Sequence, residues 1–288
     1  MTSRQKIFVR RLFLALAGIA VLSGLSWKVL RTRIPDPIYQ GKPLSSWIES
    51  YTMSTMVPHQ PGISTNLILD QADLAVRDAG TNALPRLLRC LRAHDNFLKR
   101  KLIALAESQH FVKSPFVADY RQHWLAVCGF NALGPDGRCA IPELERIYDE
   151  HPGQDPQGAI LIAISHMGQD AKEAVPLLIG ATKSPAPQLR MLAISALNEI
   201  RVQPEVTLPV LMTSLNDSNK FVQWSAVQGL GRIGSRARAA LPRLLELRHD
   251  QSSVPGRWCT GPPTLAESVE DALKTIDPEG AVAHAEVK

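Results

Sequence analysis

Eight histidines and four cysteines are the residues of this 288-residue chain with the widest reach in chemistry, as metal ligands, general bases or nucleophiles. The histidines, His59, His94, His110, His123, His151, His166, His249 and His284, are scattered, and none is followed directly by Glu. Neither His-x-x-x-His nor Cys-x-x-Cys occurs, so the usual zinc patterns are absent. His94-Asp95 and His249-Asp250 stand where helical stretches end, a position at which the helix dipole favours an imidazole, and they are read as structural. There is no Gly-x-Ser-x-Gly elbow and no phosphate-cradling glycine loop. Gly229 and Gly231 flank Leu230 inside a helical stripe and are read as sites of close packing. No catalytic, metal-binding or cofactor-binding residue is assigned, and the expectation is a protein without enzymatic activity.

Cys90, Cys128, Cys139 and Cys259 form an even set that an exported domain would be able to oxidise. Cys128 and Cys139 fall on the two arms of one helical hairpin, so a bridge there and buried free thiols stand as equal alternatives.

A local basic excess runs from Arg77, Arg86, Arg89 and Arg92 through Lys99-Arg100-Lys101 to Arg121. Arg86, Arg89 and Arg92, three residues apart, share one side of a helix and are the candidate binding residues for an anionic partner. The plainer reading is a solvated face in mixed-charge surroundings. The sequence pI of 9.1 adds nothing to the anionic case. Seven of the 32 basic residues lie at or before Arg33 and no acid precedes Asp36, which leaves 25 basic against 27 acidic residues in the remainder. Nucleic-acid recognition requires a concentrated basic face, so no nucleic-acid partner is expected, nor a small-molecule ligand.

The elements that position these residues repeat. Pro142, Pro176, Pro209 and Pro242 are separated by 34, 33 and 33 residues, within the phrases Ala140-Ile-Pro-Glu-Leu144, Ala174-Val-Pro-Leu-Leu178, Thr207-Leu-Pro-Val-Leu211 and Ala240-Leu-Pro-Arg-Leu244. Before the last of these, Val222, Ala226, Leu230 and Ile233 form the stripe of a helix A, and Gly234 follows as its C-terminal cap. Helix B is expected from about Ala239 to Leu247, with proline in its first turn as a start signal. Sliding back by 33 and 66 residues aligns Ala193, Leu197 and Ile200, then Ile160, Ile164, Met167 and Gly168; sliding by 100 aligns Trp124, Ala126, Leu133 and Gly134. Small alanines on helix A suit close stacking. A unit that cannot bury its own apolar face must stack on its neighbours, so the fold class is all-α, an α-solenoid of antiparallel helix pairs.

Gly80-Thr-Asn-Ala-Leu-Pro85-Arg-Leu-Leu88 is an earlier copy, and roughly 24 extra residues before Pro142, about Asn96 to Asp119, are read as one further helix followed by Pro115. Gln251 to Pro263 is a loop by composition, and Leu265 to Ile276 is a closing helix whose Glu267, Glu270, Asp271 and Lys274 suit a solvated cap.

The two-helix unit with proline early in helix B resembles the HEAT repeat, of the short kind seen in phycobilisome-lyase-like proteins, over about Asp70 to Ile276. Tyr39-Gln-Gly-Lys-Pro-Leu-Ser-Ser-Trp-Ile48 and Gly80 to Leu88 resemble phrases of membrane-anchored HEAT proteins of Verrucomicrobia-like bacteria. The resemblance implies a solenoid scaffold. Its lyase-like relatives imply an alternative, an accessory that holds a cofactor near a partner protein. The deoxyhypusine hydroxylases, HEAT-like enzymes with two irons on repeated His-Glu pairs, are not matched.

Leu12 to Trp27 is a 16-residue apolar run between Arg10-Arg11 and Lys28. It spans about 24 Å as a helix, which snorkelling cations extend toward the ~30 Å hydrocarbon core. Ala15-Leu-Ala17 comes too early for a cleavage site and no Ala-x-Ala follows. We read the run as an uncleaved single-pass signal anchor in a bacterial inner membrane. Arg4, Lys6, Arg10, Arg11 and the amino terminus before it, against Lys28, Arg31 and Arg33 after it, place the C-terminal domain in the periplasm. The expected organisation is an anchor over 1–33, a proline-rich linker with a short helix around Leu44 to Ser54 over 34–65, and the solenoid over 66–288. Its helix B surface, with Arg86, Arg89, Glu143, Arg146, Met212, Arg243 and Glu246, is expected to bind a protein or peptide.

Overall fold

The computed structural model describes residues 36–56, 65–94, 101, 118–150, 155–250 and 264–279. The Leu12–Trp27 run, most of the expected helix after Asn96, the 251–263 loop and Cys259 lie outside the described residues. Among the described residues no helix is long and apolar enough to cross a membrane. A two-stranded hairpin, β1 (Ile38–Tyr39) and β2 (Lys42–Pro43), leads into α1 (Leu44–Met56). Pairs of an A and a B helix follow: α2 (Thr65–Ala79) with α3 (Leu84–Leu91), α4 (Asp119–Leu133) with α5 (Ile141–Glu150), α6 (Asp155–His166) with α7 (Val175–Ala181), α8 (Pro187–Ile200) with α9 (Pro204–Ser214), and α10 (Lys220–Ile233) with α11 (Leu241–Leu247). The closing helix α12 spans Leu265–Ile276, the bounds read from the sequence, and a capping box between Thr264 and Glu267 starts it.

The expected stripes are the core. Val222, Ala226 and Leu230 of α10 are buried, as are Ala193, Leu197 and Ile200 of α8 and Ile160 and Ile164 of α6. Each A helix packs on the next, α4 on α6, α6 on α8, α8 on α10 and α10 on α12, and buried Ala126, Ala163, Ala193, Ala196 and Ala226 permit that approach. The buried apolar residues form two clusters that meet at α8, with Ala193 and Leu197 in the first and Ile194 in the second.

Helix A joins helix B through a feature the periodicity does not reveal. Glycine at the end of helix A adopts positive φ at Gly80, Gly134, Gly168 and Gly234. A 3-10 turn follows, over Gly134–Ala140, Gly168–Ala174 and Gly234–Ala240. Residues three apart eclipse in such a turn, and the inward positions are small: Gly137 and Ala140, Ala171 and Ala174, Ala237 and Ala240. The last helix B therefore begins at Leu241 rather than near Ala239, and Cys139 lies in a 3-10 turn rather than on helix B.

Pro85, Pro142, Pro176 and Pro242 open their helices as expected, but Pro209 does not. Helix α9 starts at Pro204, whose fixed φ suits a first turn, and Pro209 sits in its interior. The short helix expected within 34–65 is α1, and its Leu44, Trp47 and Ile48 are buried in the solenoid core against α2 and α4. Three apolar residues on one face of α1 can lose water only by packing on the stack. Within the hairpin that precedes it, the Trp47 indole N–H donates to the Tyr39 carbonyl at 3.0 Å.

A polar ladder ties successive repeats together. His123, Gln157, Arg190 and Gln223 occupy one register of helix A, 34, 33 and 33 residues apart. Each reaches back to a carbonyl just after, or in the last turn of, the preceding helix B. His123 Nε2 lies 3.0 Å from the Ala93 carbonyl; a carbonyl only accepts, so Nε2 carries the proton. Gln157 donates to Tyr148 at 3.1 Å, Arg190 to Ser184 at 2.9 Å, and Gln223 to Asp217 at 2.8 Å. At the C-terminal end the backbone N–H of Ala266 performs the same service for Asp250, at 3.1 Å. Helix ends leave carbonyls unsatisfied, and burial makes that expensive. Gln157→Leu and Gln223→Leu should each lower stability by about 1–3 kcal/mol, whereas Gln228→Leu on the exposed face should change it by less than about 0.5. Urea-unfolding midpoints at constant slope measure the difference.

Candidate functional site

The arginine row read from the sequence is largely satisfied within the protein. Arg86 pairs with Glu49 of α1 at 3.7 Å, and Arg92 pairs with Glu143 of α5. Arg89 is exposed on the same helix and also has a partner. Two of the three guanidiniums therefore fasten α3 to its neighbours. Elsewhere on the helix B surface, Arg146 is held by Glu143 at 2.8 Å and by Glu150, and Arg243 by Glu246 at 2.5 Å. Met212 is half-buried. These residues neutralise one another along their own helices.

Cys90, Cys128 and Cys139 are free thiols. Burial, and then the nearby Asp73 carboxylate, push the Cys128 thiol up to about 12, which keeps it protonated and unreactive. Among the described residues no group of three histidine, cysteine or acidic side chains is placed to hold a metal ion. His94 and His249 are exposed just beyond α3 and α11, where the dipole argument puts them.

The surface that stands out lies between the second and third pairs. A groove of about 640 Å³ runs between α5 and α7. Pro176, Leu177, Gly180 and Ala181 of α7, with Pro185 and Ala186 beyond it, supply an apolar lining. Glu145, Tyr148 and Asp149 of α5 line it as well, as does Lys183. Gln157, the ladder residue of α6, joins them while donating to the Tyr148 carbonyl, so the ladder fixes the corner from which these side chains project.

Its electrostatics are unbalanced. Glu145 and Asp149 are one turn apart, and Glu173 lies close enough to act on Glu145. Among the described residues none of the three has an ion-pair or hydrogen-bond partner on its side chain. Burial first, then Asp149 and Glu173, push the Glu145 carboxyl above its ordinary 4.5; burial and Asp149 raise the Tyr148 hydroxyl above 10.0. Like charges at i and i+4 destabilise a helix, so this arrangement has a cost that a neutral pair would not. Sequence reasoning passed over these residues because it weighed basic clusters; the signal was an i, i+4 acidic pair on helix B with no cation three or four residues further on.

Comparison with known families adds one finding. The family model for the PBS lyase HEAT-like repeat matches residues 222–250, which comprise most of α10, the 3-10 turn and α11. The other pairs repeat that arrangement, and together they support a HEAT-repeat protein with an all-α stacked architecture. Comparison with curated proteins finds no match.

Proposed function

We propose that this HEAT-repeat chain is a non-catalytic scaffold that binds an extended protein segment in the groove between α5 and α7, and that the segment carries a basic side chain beside apolar ones. The observation that carries this reading is the pairing of an apolar lining with carboxylates that have no ion-pair partner among the described residues. A lysine or arginine laid along Glu145 and Asp149 would relieve their repulsion, while neighbouring apolar residues would cover Leu177 and Pro176. The reading also takes Leu12–Trp27 as a single-pass anchor with the solenoid in the periplasm, as in membrane-anchored HEAT proteins of Verrucomicrobia-like bacteria. The apolar length of the run and its flanking cations support that placement.

The test uses the full-length chain and two fluorescent peptides of alternating leucine and serine, one with a central pair of lysines and one with glutamates in their place. The lysine peptide should bind more tightly, and more weakly as salt rises. Glu145→Lys and Asp149→Lys should each reduce its affinity at least tenfold without lowering the unfolding midpoint, and Glu145→Gln should leave that midpoint unchanged or raised. Equal binding of the two peptides, or binding that survives both charge reversals, would sink the proposal.

A further inference from the structure

One repeat breaks the glycine ladder. At the register of Gly80, Gly134, Gly168 and Gly234 the fourth pair carries Arg201, and the backbone keeps the left-handed conformation there, with φ +52. Glycine adopts that region freely, whereas a residue with a β-carbon is strained in it. The 3-10 turn is lost in the same repeat. Where the neighbouring turns place small inward residues, this one has Pro204 and Thr207, and the chain passes from Arg201 to the start of α9 in three residues.

The shortened link borders a cavity of about 500 Å³ at the turn edge of the stack, the opposite end of the helices from the α5–α7 groove. Arg201, Arg232 and Arg236 all line it, together with Asn198, Glu199 and Thr207. Arg232 donates to Glu199 at 2.9 Å and to the Asn198 carbonyl at 3.3 Å. Arg236 stands 3.9 Å from Glu205, both well exposed. Among the described residues Arg201 makes no side-chain hydrogen bond or ion pair. Three guanidiniums thus face two carboxylates, with one cation unpaired and a second loosely held.

We propose that this cavity is an oxyanion site in which Arg201 and Arg236 grip a carboxylate or phosphate group, with Arg232 held between them by Glu199. The planar guanidinium fork matches either group in two-point geometry, which a lysine would not reproduce. Glycine at this position would relieve the backbone strain but would remove one of the guanidiniums that line the cavity. This site goes beyond the proposed peptide groove and does not require it.

The experiment follows the unfolding midpoint of the full-length chain during titration with inorganic phosphate and, separately, with succinate, at an ionic strength held constant with chloride. A saturable rise is expected with at least one of them. Phosphate alone, succinate alone or both together would assign the ligand group as phosphate, carboxylate or any oxyanion. Arg201→Gly and Arg236→Gln should each weaken the responding anion at least tenfold, and Arg86→Gln should leave it unchanged. Arg201→Gly should also raise the midpoint in the absence of either anion, since glycine suits the backbone at this register. No saturable response to either anion, a response that persists in Arg201→Gly, or a lower anion-free midpoint for that variant would overturn the proposal.

Discussion

Replacing Asp217 with alanine is expected to lower the unfolding free energy by about 3 kcal/mol, because it strips the counter-charge from a cation held between two repeats. Arg190 of α8 donates through Nε and Nη2 to both carboxylate oxygens of Asp217 at 2.7 Å each, and through Nη1 to the carbonyls of Ser184 and Pro185. The two side chains are only 14% and 13% exposed, so alanine leaves a guanidinium with little access to water. The Arg190 hydrogen bonds are the main reason that the Asp217 carboxyl lies below its ordinary 3.8, aided by the N–H of Asn219 and opposed by burial. A depressed carboxylate contributes stability that is complete above its unfolded value and disappears as pH falls through the folded one. The gap between wild type and Asp217→Ala should therefore be constant at neutral pH and close in acid below 3.8. Urea unfolding as a function of pH measures both, and a neutral-pH gap under about 1 kcal/mol would place the pair among ordinary surface bridges. Arg190→Leu combined with Asp217→Ala should cost less than the two single changes added together.

Gly229→Val should cost a similar amount for a steric reason. A β-carbon at Gly229 would stand 2.3 Å from Oδ1 of Asn198 and 2.9 Å from Cδ1 of Leu211. Asn198 is not free to withdraw, because its amide donates to the Ser225 carbonyl at 3.0 Å, and Leu211 is buried. Valine would have to break that hydrogen bond and displace a core leucine, an overpacking loss of about 3 kcal/mol. Gly231, one position past Leu230, is the control: its β-carbon would meet Ala272 at 3.4 Å, an ordinary contact. Gly231→Ala should be neutral or stabilising by up to about 1 kcal/mol through helix propensity. Thermal unfolding of the two variants side by side decides the matter, and equal losses would show that α10 packs more loosely than these distances indicate.

Gly229 was legible as a packing position because it interrupts a helical stripe, whereas Gly231, read the same way, meets Ala272 only at an ordinary contact distance. The stripe that ends at Gly234 and the closing helix from Leu265 were legible for similar reasons, since period and capping residues are local signals. Pro209 was misread because proline is tolerated at the start of a helix and is also found, at a cost, inside one; Pro204 decided which. The docking of α1 escaped because Leu44, Trp47 and Ile48 form a stripe too short to separate a spacer helix from a packed one. The acidic groove was invisible for a different reason. Glu145 and Asp149 are ordinary surface residues in sequence, and they become notable only once α7 brings Leu177 beside them and, among the described residues, no cation pairs with them. The arginine row shows the converse: its spacing was read correctly, but the acids that answer it, Glu49 and Glu143, lie on other elements.

The polar ladder also governs how this molecule can change in length. Each rung joins a side chain in one copy to a carbonyl in the copy before it, so donor and acceptor belong to adjacent units and never to the same one. Adding or deleting a whole unit of about 33 residues restores every rung, and the rung from His123 to Ala93 is kept across the longer segment that separates them, whereas an insertion inside a helix turns its donor or carbonyl away from its partner. The stack can therefore grow or shrink only in whole steps, and the shortest viable change to its reach is one complete helix pair.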